Sequence, residues 1–223
     1  MHKYYCFLLK NFHQLPLDSD TLMQMTDAQL DYTKSMSSKR LHEFYFSRKL
    51  LEHAIKTKGI YSNWEIIERE KNSPLIQLNN NKALNCSITH SPTWIGVIFN
   101  NEIDAPKVGI DIETIRSNWT IEKAQLFCSD QQVKHAYNLP SDVVRNHCLT
   151  TIWTQKEAYY KAVGEGLFNK NVELKSDANT QYSLTSQALT ENAIMSIYCE
   201  EPSAFKVYEV SYLNNEFRRI VKK

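Results

Sequence analysis

The stretch Val108-Gly109-Ile110-Asp111-Ile112-Glu113 reads as a β-strand, with β-branched residues at alternate positions. Side chains two apart share a face of a strand. Asp111 and Glu113 therefore lie on one side, while Ile110 and Ile112 lie on the other, toward a core. Roughly forty residues later comes Trp153-Thr154-Gln155-Lys156-Glu157-Ala158-Tyr159-Tyr160-Lys161, inside a run from Asp142 to Val163 that reads as one long helix. On it Trp153, Glu157, Tyr160 or Lys161, and Gly164 recur at spacings of three and four, on one stripe. Gly164 and Gly166 are two of only five glycines, placed where such a helix would end.

The two segments offer three carboxylates, Asp111, Glu113 and Glu157, and two ammonium groups, Lys156 and Lys161. Magnesium is usually held by one or two carboxylates plus substrate phosphates, and lysine suits phosphate. An acidic cluster flanked by lysines is thus the composition expected of a Mg-pyrophosphate site. Plainer readings stay open for each segment alone. Glu157 and Lys161 form an ordinary i,i+4 helix pair, Lys156 can be solvated surface, and alternation puts charges on the solvent face of many strands.

Working outward, Tyr4 to Leu9 reads as a first strand. Asp18-Ser19-Asp20 can cap a short helix carrying Leu22, Met23 and Leu30, and Ser37-Ser38 can cap a longer one through about Ile55. Short strands are expected around Trp64 to Ile67, Leu75 to Leu78, Leu84 to Ile88 and Trp94 to Phe99. Asn100 to Pro106 is a polar turn that can join two parts, 1–105 and 106–223. The second part adds helical stretches near Ile121 to Tyr137, the long helix, and strand-like runs from Tyr182 to the end. No internal repeat is visible. The pattern gives an α+β fold with mostly antiparallel sheets.

On the helix from Lys39 to Ile55, Leu41, Phe44, Leu51 and Ile55 set an apolar stripe with Arg48 in register. A guanidinium beside a buried face wants an anion, either a ligand or an internal carboxylate, unless it snorkels to water. Arg40 is a weaker candidate of the same kind. Trp94 and Trp153 read as core packing rather than ligand stacking.

The 223 residues carry 26 Lys and Arg against 25 Asp and Glu, a net charge of +1. No global field points to nucleic acid, so phosphate affinity must come from local clusters. Five cysteines, far apart and without a C-x-x-C pair, suggest neither a zinc knuckle nor a disulfide frame. No export signal and no membrane-length apolar run is read, and the expected location is cytoplasmic.

Gly-Ile-Asp-Ile-Glu followed by Trp-x-x-Lys-Glu-Ala-x-x-Lys resembles the signature of the 4′-phosphopantetheinyl transferases, in the larger surfactin-type branch. A third segment, Asn85-Cys86-Ser87-Ile88-Thr89-His90-Ser91-Pro92-Thr93-Trp94, is similar to that family's N-x-S-H-S-x-x-W stretch. The resemblance spans about residues 85 to 166. It implies two similar α+β halves related by a pseudo-twofold, an active site in the cleft between them, and a monomer. It further implies transfer of the phosphopantetheine arm of coenzyme A to a serine of an apo acyl or peptidyl carrier protein, releasing 3′,5′-adenosine bisphosphate.

By the same resemblance, Asp111, Glu113 and Glu157 hold Mg2+, and Lys156 and Lys161 face the phosphates. His90, with Thr89 and Ser91, contacts the nucleotide's phosphates. Arg48, in Ser47-Arg48-Lys49-Leu50-Leu51, grips the 3′-phosphate. Glu157 or a water takes the serine proton, with Lys161 beside it. Gln132 stands where some members carry a further glutamate, and an amide cannot accept that proton. The family's G-K-P stretch appears as Asn72-Ser73-Pro74, without its lysine, although Lys71 is close by in sequence. Arg116-Ser117-Asn118-Trp119 is either a docking segment for the carrier or an ordinary turn. Two other readings are a non-catalytic module that binds coenzyme A or a carrier protein, and an unrelated Mg-dependent phosphoesterase.

Overall fold

The computed structural model describes residues 2–17, 25–58, 63–69, 74–78, 82–164, 172, 174, 181–213 and 216–220. In chain order they form β1 (His2–Lys10), a 3-10 turn, α1 (Asp27–Thr33), α2 (Ser38–Lys58), β2 (Trp64–Ile67), β3 (Leu75–Leu78), β4 (Ala83–His90), β5 (Trp94–Asn100) and β6 (Val108–Thr114). Then come α3 (Ile121–Ala124), α4 (Asp130–Tyr137), α5 (Asp142–Val163), β7 (Ser183–Thr190), β8 (Ala193–Cys199), β9 (Ser203–Leu213) and β10 (Glu216–Arg219). The fold is α+β, and every described strand pair except β1 with β9 is antiparallel.

Seven strands make one sheet in the order β10-β9-β1-β5-β4-β3-β2, and three make a second in the order β6-β8-β7. The period-two pattern of β1 explains how the layers stack. Phe7 and Leu9 face a core shared with Phe44, Leu50, Leu51 and Ile55 of α2. Tyr4, Cys6 and Leu8 face the other way, against Val108, Ile110 and Ile112 of β6 and Met195 and Ile197 of β8. Trp94 is 2 % exposed in this second core, as its reading as packing anticipated. α5 covers the remaining face of the small sheet, where Ala158 and Ala162 meet Leu184 and Tyr198. The result is helix on sheet on sheet on helix, with each large apolar side chain buried between layers worth about 1.5–3 kcal/mol.

Local signals explain the helix limits. α1 starts at Thr26, which forms a capping box with Gln29. The expected cap at Asp18–Asp20, with Leu22 and Met23, lies outside the described residues, and Leu30 is exposed. Ser37 Oγ accepts from the Arg40 backbone N–H at the start of α2. Between Ile121 and Tyr137 the helical stretch is broken, because Ser129 opens a new capping box with Gln132. α5 ends where the sequence placed its end: Gly164 has φ 77° and donates its N–H to the Tyr160 carbonyl. No helix among the described residues is long and apolar enough to cross a membrane.

Candidate active site

The site begins with an edge strand. β6 lies at the margin of the small sheet, so one row of its backbone groups has no partner strand there. Two hydroxyls of β4 serve that edge. Ser87 Oγ accepts from the Ile110 N–H at 3.2 Å, and Thr89 Oγ1 accepts from the Ile112 N–H at 3.1 Å. The spacing of two in β4 matches the spacing of two in β6, so alternate side chains of one strand meet alternate amides of the other. Thr89 does a second task, donating its own proton to Asp111 Oδ1 at 3.0 Å.

The helix supplies the other wall. Asn146, Thr150, Thr154, Ala158 and Ala162, spaced by four throughout, are buried, and the last three meet the sheet. Trp153, Glu157 and Lys161 each precede one of these and flank the contact stripe. The stripe is small-sided, and Gly109 of β6 sits against it so closely that a Cβ there would be 1.8 Å from the Ala158 carbonyl oxygen. This close approach brings Lys161 Nζ to 2.8 Å from Asp111 Oδ1.

Asp111 is 4 % exposed, and its Oδ2 is buried without a hydrogen-bond partner. The negative charge is shared. Glu157 is held above the ordinary carboxylate value by burial first and by Asp111 next, against the pull of Lys161 and with a further push from Glu113. Glu113 is raised by the same two leading causes. It is steadied by Arg116, which donates at 3.0 Å, and by the Trp153 indole N–H, which donates at 3.2 Å. Two carboxylates held above their ordinary value beside a third whose oxygen is orphaned suit a cation. Among the described residues no three His, Cys, Asp or Glu side chains form a ready cage.

Residues 107–213 match the family model of the 4′-phosphopantetheinyl transferase superfamily. The match to this superfamily runs from β6 through β9, just under half of the chain, and includes Asp111, Glu113, Glu157 and Lys161. Arg40, Arg48, Thr89, His90 and Ser91 lie outside it. No curated protein matches the chain.

Those outer residues line or flank a cavity of about 370 Å³ walled by Arg40, Glu43 and Arg48 of α2, Thr89 and His90 of β4, and Lys161 of α5. The volume is in the range of small-molecule sites. Arg40 Nη1 contacts His90 Nε2 and lies 3.4 Å from Glu43 Oε2. Arg48 stacks on Phe44, and its fork is engaged by an internal carboxylate: Nε donates to Glu68 Oε1 at 2.9 Å and Nη2 to Oε2. Of the alternatives open for Arg48, the internal ion pair is the one present. Ser91 is buried with its hydroxyl unpartnered. Lys156 is 1 % exposed, is not among the cavity's lining residues, and acts on the thiol of Cys128, which burial pushes up to about 12.

Trp119 is 8 % exposed, packs on Phe127, and donates its indole N–H to Thr150 Oγ1 at 3.0 Å, while Arg116, Ser117 and Asn118 before it are exposed. Gln132 closes the capping box of α4, accepting the Ser129 N–H at 3.0 Å, which accounts for an amide at that position without reference to chemistry. Asn72, Ser73, Lys71 and Gly166 lie outside the described residues. Sequence reasoning missed Glu43 and the edge-serving role of Ser87, although the matched spacing of Ser87 and Thr89 with Ile110 and Ile112 was a visible cue.

Thr89→Val tests this scaffold. The isosteric change leaves the Ile112 amide unbonded and removes a donor from Asp111. A loss of about 2 kcal/mol is expected in chemical denaturation. Thr89→Ser, which keeps the hydroxyl, should recover most of it.

Proposed function

We propose that this protein transfers the 4′-phosphopantetheine arm of coenzyme A to a serine of an apo acyl or peptidyl carrier protein, with Mg2+, releasing 3′,5′-adenosine bisphosphate. The observation that carries the reading is Asp111: one oxygen bonded by Lys161 and Thr89, the other buried and unpartnered, its charge felt by Glu113 and Glu157. The superfamily match over these acidic residues supports it. The adjoining cavity, with Arg40, His90 and Lys161 on its walls, suits an anionic nucleotide.

Asp111, Glu113 and Glu157 are the residues to hold Mg2+, which when bound neutralises charge on the pyrophosphate. Phosphoryl transfer asks chiefly for positioning and fixed charge. Lys161 supplies a positive charge already oriented by Asp111, beside the cavity. Glu157, with its raised pKa, is suited to take the proton of the attacking serine hydroxyl at neutral pH. The serine oxygen bonds to the β-phosphorus, the bond from that phosphorus to the bridging oxygen breaks, and the bridging oxygen leaves on the adenosine bisphosphate. Trp153 and Arg116 hold Glu113, and Thr89 holds Asp111, so the acidic group is set before substrate arrives.

Incubation with coenzyme A, Mg2+ and several apo carriers tests the proposal by intact mass. A gain of one phosphopantetheine on the carrier is the expected result. Binding of coenzyme A without that gain would favour a non-catalytic binding module. Release of phosphate from small esters without any carrier would favour a phosphoesterase.

A further inference from the structure

Glu43 is a carboxylate in the wall of a cavity that suits anions, and the reading of the acidic cluster does not use it. It is 6 % exposed. Three basic groups stand around it at loose distances: Arg40 Nη1 at 3.4 Å, His90 Nδ1 at 3.6 Å and Lys39 Nζ at 3.9 Å. A committed charge-assisted hydrogen bond is shorter, about 2.7–2.9 Å. Glu43 therefore shares its charge among partners that can be recruited elsewhere.

The ring between them has two distinct ends. Nε2 of His90 meets a guanidinium nitrogen of Arg40, which has only protons to offer. Nε2 must then be the acceptor, so the imidazole is neutral with its proton on Nδ1, on the side of Glu43. A phosphate entering the cavity changes what each group needs. It draws the guanidinium of Arg40, and it places acceptor oxygens where Nε2 has a lone pair. Lone pair against lone pair is repulsive, and protonation of Nε2 turns that contact into a donated hydrogen bond.

We propose that Glu43 is a positioning residue for the nucleotide end of the cavity: it faces Nδ1 of His90 at 3.6 Å, placed to pair with the ring when it takes up one proton from solvent as a phosphate monoester binds at Nε2. This rests on the transferase reading given above. The exchange balances in charge. Glu43 loses its share of Arg40 to the phosphate and gains an imidazolium in its place, so the buried carboxylate is never left unpaired.

The surroundings fix the direction. In the unliganded protein, His90 is held below its ordinary pKa by partial burial first, with Glu43 pulling upward, Arg40 and Lys161 downward, and Asp111 upward. The charged groups facing it are thus Arg40 and Glu43 from α2, Lys161 from α5 and Asp111 from β6. Ligand phosphate offsets Arg40 and Lys161, the two cations that oppose protonation, and leaves Glu43 to favour it.

Calorimetric titration with 3′,5′-adenosine bisphosphate, repeated in buffers of different ionisation enthalpy, reads the protons exchanged. Near pH 8 a phosphate monoester, with its second pKa about 6, is already fully ionised, so uptake reports on the protein. Net uptake approaching one proton per ligand is expected for the unaltered chain. Glu43→Gln should lose most of that uptake, weaken binding about five- to tenfold, and raise KM for coenzyme A with much less change in kcat. Glu43→Asp, which keeps the charge, should restore part of the uptake. His90→Gln, folded by its unfolding midpoint, should lose it entirely. Binding and transfer with no proton uptake, or uptake that Glu43→Gln leaves intact, would overturn the role of Glu43 alone. Absence of both binding and carrier modification in the unaltered protein would overturn the transferase reading with it.

Discussion

Glu157→Gln is expected to abolish carrier modification and, in the same protein, to raise the unfolding midpoint at neutral pH when no divalent cation is present. The first half follows from position. Glu157 is the helix's contribution to the acidic group, and its amide counterpart can neither hold a cation as well nor take the serine proton. A fall in turnover of at least about a hundredfold is expected from losing a group aimed at reacting charge. The second half follows from the cause of its raised pKa. Burial and the neighbouring Asp111 disfavour the ionised form, and Lys161 only partly compensates.

The sign of the pH dependence is fixed by the same fact. The folded protein binds this proton more readily than the unfolded chain does. Stability therefore falls as pH rises from the ordinary value of 4.5 through the raised folded value. Glu113 acts in the same direction. Melting curves of both proteins across this range should separate above the carboxylate region and converge below it. Near-normal turnover in the variant would remove Glu157 from the site. A midpoint equal to or below that of the parent at neutral pH would dispose of the like-charge account.

The second large effect is expected at Gly109. A methyl group there meets backbone, the Ala158 carbonyl oxygen at 1.8 Å and the Ala162 nitrogen at 2.8 Å, and backbone in mid-helix cannot turn aside as a side chain can. Gly109→Ala must push α5 away from β6. Overpacking of this severity costs on the order of 3 kcal/mol or more. The same displacement lengthens the 2.8 Å contact between Lys161 and Asp111 and separates Glu157 from the strand carboxylates. Urea denaturation should show the loss of stability, and any folded fraction should have lost transfer out of proportion to its population. A variant with parental stability would mean that the strand and helix pack more loosely than described. Enlarging Ala158 is a different perturbation, because the clash at Gly109 is with the main chain.

Much of the scaffold was legible because its signals are local. The end of α5 follows from Gly164, and its start, capped in the structure by Ser141, falls where the helical run begins at Asp142. The strands from Trp64 to Phe99 follow from short β-branched and aromatic runs between polar turns. The shared face of Asp111 and Glu113 follows from strand geometry alone.

What was not legible depends on partners distant in sequence. Nothing near Arg48 announces Glu68, twenty residues on, as the acid that fills its fork. Glu43 looks like any helical glutamate until β4 brings His90 beside it. Gly109 has no special backbone angle to mark it, and its necessity is visible only against Ala158 and Ala162. The basic and aromatic residues from Arg116 to Trp119 resemble a binding loop in one dimension. In three, Trp119 is buried, while the exposed Arg116 lies over Trp119 and Trp153 and pairs with Glu113 at the edge of the acidic group.

The parallel pairing of β1 with β9 has a consequence for how the chain is made. His2 to Leu9 align with Ser203 to Val210, so one flank of the first strand must wait for roughly two hundred further residues to leave the ribosome. At about 5–20 residues per second that interval is about ten to forty seconds. Through it, the nascent protein carries an open β-edge of the kind that recruits other chains. Synthesis rate and chaperone supply, more than the equilibrium stability of the finished molecule, should set how much of it is recovered soluble.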